Sequence, residues 1–387
     1  MSGALPSVRR TLAGVLGAQL LAAVADNALL VVAIALLESG AAPGWATPAL
    51  RVCFYASYVL LAPLAGPLAD RWPKGRLMLL VNVLKLLGAG ALACGAAPLP
   101  VFGAIGLGAA AYAPARYGIL PELAGGRALV RANAAMEIVT IVAILAGVAL
   151  GSAMVASGAV TAACGVLALL YALAAGCTLL VAPSPVRHQR PESPFLSAIR
   201  ALLQDGAARF SLGITSVFWA CAAVLQFLMI AWARQALGLS LAGAALLPAM
   251  LALGMVGGAL AAGQASRSAT ASRAAVVLRG ACLGAGILAM TLVGSVWAAA
   301  LLLLATGVLA GALLVPMNAL LQERGAILLR PGVSVAVQNF LENGLALGFL
   351  ALYGIGVALG LPLNVTIYAL GGATIVLVGA LALGRRA

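Results

Sequence analysis

The chain has 387 residues, of which 64% are hydrophobic and only 8% are charged, and its formal net charge is +13. Soluble domains carry about 25% charged residues, so this composition excludes an ordinary soluble protein. The positive charge does not indicate a nucleic-acid-binding protein, because the basic residues are scattered between apolar segments rather than gathered on one face.

The apolar segments have the length of transmembrane helices. Most continue for about 20 residues or more, enough to span ~30 Å of hydrocarbon, and they lack the short alternating pattern of a membrane β-barrel. We predict an all-α integral membrane protein. Its twelve predicted helices cover residues 10–38, 47–70, 76–97, 100–121, 132–156, 159–182, 210–236, 241–264, 275–294, 296–322, 333–358 and 362–384.

A polar, proline-rich segment divides the chain into an N-terminal six-helix bundle (1–182), a cytoplasmic linker (183–209) and a C-terminal six-helix bundle (210–387). The two halves share a pattern of one proline, one polar residue and two glutamates. It consists of Pro114, Arg116, Glu122 and Glu137 in the first half, and of Pro316, Asn318, Glu323 and Glu342 in the second. Parallel repeats of six helices are typical of transporters that bind substrate at the repeat interface.

The basic residues predict the orientation of the chain. Most of the 22 Lys and Arg residues lie at the helix ends that share a side with both termini, so the positive-inside rule places both termini in the cytoplasm. The first apolar segment, Thr11–Leu37, is too long for the core of a signal peptide and is expected to remain as helix 1.

The sequence contains no pattern that indicates a metal, a cofactor or catalysis. Its six cysteines form no CxxC pair, and its single histidine, His188, lies in the polar linker. A nucleotide-binding loop and a Ser/His/Asp set are also missing. We therefore predict no metal, no cofactor and no enzymatic activity.

The few ionisable residues within predicted helices are candidates for function, because a charge in lipid is costly. Asp26 lies near or somewhat beyond the middle of helix 1. One interpretation is a role in transport, and the other is a structural ion pair with a cation on another helix. Arg116 in helix 4 suits a phosphate group, pairs with Asp26 or Glu137, or extends to the cytoplasmic interface. For Lys85 in helix 3, extension to the interface is the favoured interpretation.

Two polar clusters occupy matching positions in the two halves. Asn133 and Glu137 lie four residues apart in helix 5, and Gln338 and Glu342 have the same spacing in helix 11, next to Asn339. One interpretation is a gate that closes through hydrogen bonds between the halves. The other is ordinary polar contact between helices.

Two shorter patterns concern helix ends and helix crossings. In the loop between helices 2 and 3, Asp70 can accept hydrogen bonds from the free N–H groups of a neighbouring helix N-terminus, and basic residues such as Arg76 face anionic lipid. Glycines four residues apart allow close approach of two helices. Such pairs are Gly147 and Gly151 in helix 5, and Gly254 and Gly258 in helix 8.

Several blocks of sequence resemble a known family. The loop GPLADRWPKGR (66–76) resembles the helix 2–3 motif of the major facilitator superfamily, with one inserted residue before Gly75. Five further blocks resemble the bacterial lysophospholipid transporters of that superfamily: DNALL (26–30), NVLKLLG (82–88), YAPARYGIL (112–120), VPMNALLQERG (315–325) and VQNFLEN (337–343). Because the blocks extend from helix 1 to helix 11, the resemblance covers nearly the whole chain.

The resemblance implies the major facilitator fold, with two pseudo-symmetric bundles, and a flippase of the Gram-negative inner membrane. Such a flippase moves lysophosphatidylethanolamine and lysophosphatidylglycerol from the outer to the inner leaflet by alternating access. A cytoplasmic acyltransferase/acyl-carrier-protein synthetase would then reacylate them. The implied partners are lysophospholipids, other membrane lipids and this enzyme, but not nucleic acid.

The resemblance also implies roles for individual residues, since helices 1, 4, 7 and 10 surround the cavity in this superfamily. The implied substrate-binding residues are Asp26, Asn27, Arg116, Gln226 and Asn318. The candidate gating residues are Asp70, Arg76, Glu122, Asn133, Glu137, Glu323, Gln338, Asn339 and Glu342. A basic residue is expected in helix 7, where this chain has Gln226, so Arg116 is the expected main partner of Asp26.

Two other functions compete with this interpretation. A proton-coupled exporter of hydrophobic drugs would use Asp26 or Glu137 as its titrating carboxylate. A membrane-embedded acyltransferase would need a catalytic base such as histidine within the bundle, and the predicted helices contain no histidine.

Overall fold

A computed structural model of the chain describes residues 4–40, 46–182, 194–244, 246–265 and 272–383. Within these ranges twelve helices are long and apolar enough to cross a membrane, which confirms the predicted all-α membrane fold. They are α1 (Ala4–Ser39), α2 (Ala46–Arg71), α3 (Lys74–Ala93), α4 (Pro98–Gly118), α5 (Gly126–Ala156), α6 (Val160–Thr178), α7 (Gly206–Ala236), α8 (Leu247–Gln264), α9 (Arg273–Ala289), α10 (Val296–Leu328), α11 (Pro331–Ala358) and α12 (Leu363–Leu383). His188 and the part of the linker around it lie outside the described residues.

Several helices extend beyond their predicted ends, α1 from Ala4 rather than residue 10 among them. Helix α5 begins at Gly126 rather than at residue 132, and α10 ends at Leu328 rather than at residue 322. The additional turns carry charged residues, including Arg127 and Glu323. Hydropathy marks the edge of the hydrocarbon rather than the end of a helix, so these polar turns could not be predicted from the apolar pattern.

The described part of the linker contains a ten-residue amphipathic helix, Phe195–Gln204. Asp205 follows it and caps α7, accepting a hydrogen bond from the backbone N–H of Ala208 (2.8 Å). The hydrogen bond from Arg324 lowers the pKa of Asp205. A lowered folded-state pKa means that this contact stabilises the protein at neutral pH and that the contribution is lost as the pH falls through that pKa.

The described residues form two compact units that do not coincide with the two halves of the sequence. One unit comprises the described residues of Met1–Ala124, Val139–Ile199 and Gly325–Phe340, and the other those of Gly125–Ile138, Arg200–Arg324 and Leu341–Ala387. The first turns of α5 and α11 thus belong to the unit formed mainly by the opposite half. The predicted repeat boundaries at 182 and 210 stay a prediction.

In the first unit, α1 packs against α4 and α6, α2 packs against α4, and α3 packs against α4 and α6. Helix α5 approaches α1 closely at its glycine pair. A Cβ atom at Gly147 would lie 2.5 Å from the carbonyl oxygen of Val24, and one at Gly151 would lie 2.8 Å from that of Ala28. The predicted close approach at this pair is confirmed.

In the second unit, α9 packs against α12, and α7 packs against α8 and α12. Helices α8 and α10 cross with their backbones in contact. A Cβ atom at Gly258 would lie 2.0 Å from the carbonyl oxygen of Val308, and one at Gly307 would lie 2.1 Å from that of Leu251. The predicted close approach of α8 is confirmed, and its partner is a second glycine pair on α10, Gly307 and Gly311, that the sequence-based prediction did not include.

Large apolar side chains cover the outer surface of the helices. Leu60 on α2 is 74% exposed and Leu301 on α10 is 67% exposed, and many other leucines and valines are similar. A soluble monomer rarely exposes contiguous apolar area of this extent. The protein is therefore built for contact with lipid.

Candidate functional site

An ion pair between a buried lysine and a half-buried aspartate lies within the first unit, among α1, α3 and α6. The Asp26 carboxylate accepts hydrogen bonds from Lys85 Nζ (2.6 Å) and from the Tyr171 hydroxyl (2.8 Å). Lys85 is 1% exposed and Tyr171 is fully buried. Two predictions are therefore wrong: Lys85 does not extend to the interface, because its ammonium is held by Asp26, and Arg116 is not the main partner of Asp26.

A second cation, Arg116, lies close to the Tyr112 ring, which Lys85 also approaches. The ring centroid is 5.5 Å from Lys85 Nζ and 5.9 Å from Arg116 Cζ, and Arg116 also stacks at 4.5 Å over Tyr117. Among the described residues, no carboxylate forms an ion pair with Arg116. Its Nε is buried and has no hydrogen-bond partner there. Arg116 is therefore a cation whose charge is available to a ligand.

Neutral polar groups beside these charges also lack well-formed hydrogen bonds. The Asn82 side chain is fully buried and lies beside the Tyr112 hydroxyl, and neither group has a partner of good geometry among the described residues. Buried polar atoms are normally satisfied by protein or water, so a cluster of exceptions needs an explanation. These donors and acceptors can form hydrogen bonds with a polar ligand or with ordered water.

The helical spacing explains how the sequence collects these groups. Asn82 and Lys85 are three residues apart on α3, and Tyr112 and Arg116 are four apart on α4, so each pair lies on one face of its helix. Because α3 packs against α4, the two polar faces combine into one cluster. We refer to Asp26, Asn82, Lys85, Tyr112, Arg116 and Tyr171 as the charged cluster.

Of the other predicted substrate-binding residues, Asn27 makes different contacts within the first unit, and Gln226 and Asn318 belong to the second unit. Asn27 donates to the Ala23 carbonyl oxygen of its own helix (2.8 Å) and packs at the crossing with Gly147. Gln226 on α7 donates to the Ala223 carbonyl oxygen (3.2 Å), and Asn318 is buried on α10. Of the five predicted residues, only Asp26 and Arg116 belong to the charged cluster.

The first turn of α11 is capped by a carboxylate from α2, within the first unit. Asp70 accepts hydrogen bonds from the backbone N–H groups of Gly332 (2.8 Å) and Val333 (2.9 Å). This is the contact that the sequence predicts for Asp70. Glycine suits this position, because a Cβ atom at Gly332 would lie 2.9 Å from the backbone carbonyl oxygen of Gly66 as well as 2.7 Å from the Asp70 carboxylate.

An ion pair accompanies this cap. Lys74 Nζ lies 2.5 Å from Glu122 Oε1, and the Lys74 side chain is only 5% exposed. Arg76, two residues further along α3, is exposed. The predicted gating residues Asp70 and Glu122 therefore hold defined partners, whereas Arg76 lies at the surface.

The first turn of α5 has a corresponding cap within the second unit. Glu323 of α10 accepts a hydrogen bond from the backbone N–H of Gly126 (2.9 Å). About two turns further along α5, Asn133 and Gln322 exchange two side-chain hydrogen bonds of 2.9 Å, and both residues are 3% exposed. Gln322 was not predicted, because a glutamine beside Glu323 carries no sequence signal of its own.

The remaining predicted gating residues are located in α5 and α11. Glu137, Gln338 and Glu342 are buried and Asn339 is half-buried. Each of them interacts with neighbouring groups.

The second unit contains an apolar cavity of about 100 Å³ among α7, α8, α9, α10 and α12. Its walls include Ile214, Leu225, Met255, Leu283, Leu313 and Val378. Among the polar groups in its lining, Cys221 and Thr374 are hydrogen-bonded to each other (3.1 Å), and the Thr306 hydroxyl donates to the Leu302 carbonyl oxygen (2.7 Å). The cavity can therefore accommodate an apolar group but not a charged one.

Comparison with known proteins identifies the family. Residues 15–326 match the profile of the Major Facilitator Superfamily. The chain is 42% identical over 356 residues to the lysophospholipid transporter LplT of Enterobacter sp. (strain 638), which covers 90% of this chain and 89% of that protein. The corresponding protein of Yersinia pestis (strain Pestoides F) is 41% identical over 365 residues, with coverage of 92% and 89%. The chain belongs to the lysophospholipid transporter family of the major facilitator superfamily.

Solved structures share the fold of this lysophospholipid transporter family member. The human organic anion transporter MFSD10 (TETRAN) has a TM-score of 0.78 and 18% identity, with 97% of this chain and 99% of that chain covered. A bacterial homologue of the iron transporter ferroportin, in an outward-facing state, has a TM-score of 0.73 and 15% identity, with coverage of 96% and 98%. At these identities the likeness concerns the fold alone. The family establishes a multi-pass membrane transporter rather than an enzyme.

Sequence reasoning missed several residues of the charged cluster in this family member. Asn82, Lys85 and Tyr112 lie in sequence blocks that resemble the family, but those blocks did not indicate which groups meet. Tyr171 is an ordinary aromatic residue in an apolar run. Its contact with Asp26 depends on how α6 packs against α1, which hydropathy does not determine.

Proposed function

We propose that this protein transports lysophospholipids, namely lysophosphatidylethanolamine and lysophosphatidylglycerol, from the outer to the inner leaflet by alternating access. The observation that carries the proposal is Arg116, a partly buried cation in a membrane helix with no carboxylate partner among the described residues. A charge in this setting is costly unless a ligand compensates it. The relatives named lysophospholipid transporters supply the class of ligand.

The head group of a lysophospholipid suits the charged cluster. Arg116 offers planar donors that match phosphate, and Asn82 and the Tyr112 hydroxyl can bind phosphate or glycerol oxygens. Asp26 is the group that can receive an ethanolamine amine, but only if the amine takes the position of the Lys85 ammonium. The single acyl chain stays against apolar helix surface.

A transport experiment separates this function from proton-coupled drug export. Purified protein in liposomes is given labelled lysophosphatidylethanolamine, with and without an imposed proton gradient, and in parallel a hydrophobic cationic drug. We expect translocation of the lysolipid, and no drug transport under either condition. Gradient-dependent drug transport without lysolipid translocation would instead establish the exporter.

We propose that the two capped helix ends act as a gate. Asp70 fixes the start of α11 and Glu323 fixes the start of α5, with Asn133 and Gln322 as a second contact at α5. A carboxylate at a helix N-terminus is favoured by free N–H groups and by the helix dipole. Each cap stabilises the closed position of its helix end while the carboxylate and the N–H groups are within hydrogen-bond distance. Its hydrogen bonds break together when the helix end moves away from the carboxylate.

Removing the Asp70 cap is expected to expose the surface of α11 that packs against α2. Ala336 on α11 is 1% exposed and packs at Gly66 of α2, so a cysteine placed there by Ala336→Cys reports opening. Loss of two charge-assisted hydrogen bonds in Asp70→Ala costs roughly 1–2 kcal/mol. We expect maleimide labelling of that cysteine, followed by peptide mass spectrometry, to be about tenfold faster.

The matched control is Asp205→Ala, which removes the N-terminal cap of α7 instead. It should leave the labelling rate at residue 336 unchanged. Equal labelling in Asp70→Ala and in the protein with native Asp70 would show that this cap does not restrain α11.

We propose a cellular location, an orientation and a partner enzyme for this protein. We propose a location in the bacterial inner membrane, as the resemblance to the lysophospholipid transporters implies, and the positive-inside rule supports both termini lying in the cytoplasm. A cytoplasmic acyltransferase/acyl-carrier-protein synthetase is the proposed consumer of the transported lipid. We also propose that 1–182 and 210–387 are the two pseudo-symmetric repeats, joined by the linker at 183–209.

A further inference from the structure

The charges of the charged cluster do not balance. It contains one carboxylate, Asp26, and two cations, Lys85 and Arg116. Lys85 is in hydrogen-bonded contact with Asp26 at 2.6 Å, so this pair is neutral as a unit. One positive charge, that of Arg116, is left for a substrate.

The geometry makes the two cations part of one site. Both lie close to the same ring, with Lys85 Nζ at 5.5 Å and Arg116 Cζ at 5.9 Å from the Tyr112 centroid. The surroundings are largely buried, and Lys85 itself is 1% exposed. Charges in such a setting are screened less than at a surface. A charged substrate at Arg116 therefore also interacts electrostatically with Asp26 and Lys85.

We propose that Lys85 is a specificity-determining residue that makes the site select anionic head groups. By neutralising Asp26, Lys85 leaves a site of net charge +1, which complements the single negative charge of a lysophosphatidylglycerol head group. A zwitterionic lysophosphatidylethanolamine leaves the positive charge uncompensated, and its amine must displace Lys85 from Asp26. This inference rests on the proposed function and adds to it the head-group preference and its physical origin.

Four proteins test the inference because they differ in the net charge of the site. Asp26→Asn leaves two positive charges. The wild type and the double variant Asp26→Asn/Lys85→Met each leave one, and Lys85→Met leaves none. A unit charge about 10 Å away, at an effective dielectric constant of about 20, changes the affinity for an anion by about tenfold.

The measurement is the ratio of initial rates for labelled lysophosphatidylglycerol and lysophosphatidylethanolamine, at low concentration, in liposomes containing each purified protein. The ratio cancels differences in the amount of active protein. We expect a ratio above one for the wild type, about tenfold lower for Lys85→Met, restored in the double variant, and highest for Asp26→Asn. Lys74→Met is the matched control, since Lys74 pairs with Glu122 outside the cluster; it should leave the ratio unchanged even if it alters both rates.

The outcomes distinguish charge from specific contacts. Restoration in the double variant supports the inference, because specific contacts of Asp26 and Lys85 are then dispensable. Equal ratios in all four proteins, or a double variant that resembles Lys85→Met, would overturn it.

A folding defect in one variant does not prevent the test. Lys85→Met leaves the half-buried Asp26 without its ion-pair partner and is the variant most at risk. If it fails to fold, Asp26→Asn is compared with the double variant, and a higher ratio in Asp26→Asn supports the inference whereas equal ratios overturn it. A wild type that moves neither lipid would overturn the proposed function itself.

Discussion

Arg116→Gln is expected to reduce the translocation of lysophospholipid by about tenfold to a hundredfold. The substitution keeps the approximate size of the side chain and removes the only cation of the charged cluster that no described carboxylate neutralises. A hydrogen bond to a charged group contributes about 1.5–3 kcal/mol, and about 1.4 kcal/mol corresponds to a factor of ten. The measurement is the initial rate of labelled lysophosphatidylglycerol translocation in liposomes.

Two further variants separate charge from geometry. Arg116→Lys keeps the charge but loses the planar fork, so its rate should lie between those of the wild type and Arg116→Gln. Arg200→Gln is the matched control, because Arg200 is exposed on the linker helix, and its rate should equal that of the wild type. An Arg116→Gln protein with undiminished rate would exclude Arg116 as the phosphate ligand.

Gly258→Ala is expected to destabilise the protein strongly although it adds only one methyl group. The new Cβ atom would lie 2.0 Å from the Val308 carbonyl oxygen and 2.8 Å from the Ala312 backbone nitrogen. Backbone atoms cannot rotate away as a side chain does, so α8 and α10 must separate. We expect a cost of at least about 2 kcal/mol, visible as a melting temperature in detergent that is lower by roughly 5 °C or more.

The neighbouring glycine provides the control. A Cβ atom at Gly257 would meet its nearest atom, Val308 Cγ2, at 3.8 Å, which is ordinary van der Waals contact. Gly257→Ala changes helix propensity in the same way but leaves the crossing intact, so its melting temperature should be at least that of the wild type. If both variants melt at the same temperature, the α8–α10 contact is not a determinant of stability.

The twelve helices could be predicted from the sequence because each apolar run satisfies the same physical requirement. A helix in lipid satisfies its own backbone hydrogen bonds and must be long enough to cross the hydrocarbon. Sequence reasoning also found the glycine pair at Gly254 and Gly258 and the contact of Asp70 with a helix N-terminus. Both depend on local features: a missing side chain, and a carboxylate next to free N–H groups.

Partner choice within the cluster could not be predicted in the same way. Hydropathy places Asp26, Lys85 and Arg116 inside the membrane but does not determine which cation meets the carboxylate. That choice depends on the rotation of α1, α3 and α4 about their axes, and the mean apolarity of a helix contains no information on rotation. The prediction for Lys85 failed because the interface is a favourable destination for a lysine only where no buried carboxylate competes.

The central claim is that the charged cluster binds the phosphate of a lysophospholipid head group. The most direct measurement is an experimental structure of the protein with lysophosphatidylglycerol bound. We expect a phosphate oxygen within ~3 Å of a guanidinium nitrogen of Arg116, with Lys85 still paired to Asp26. A head group bound elsewhere, with Arg116 in no contact with the phosphate, would contradict the claim.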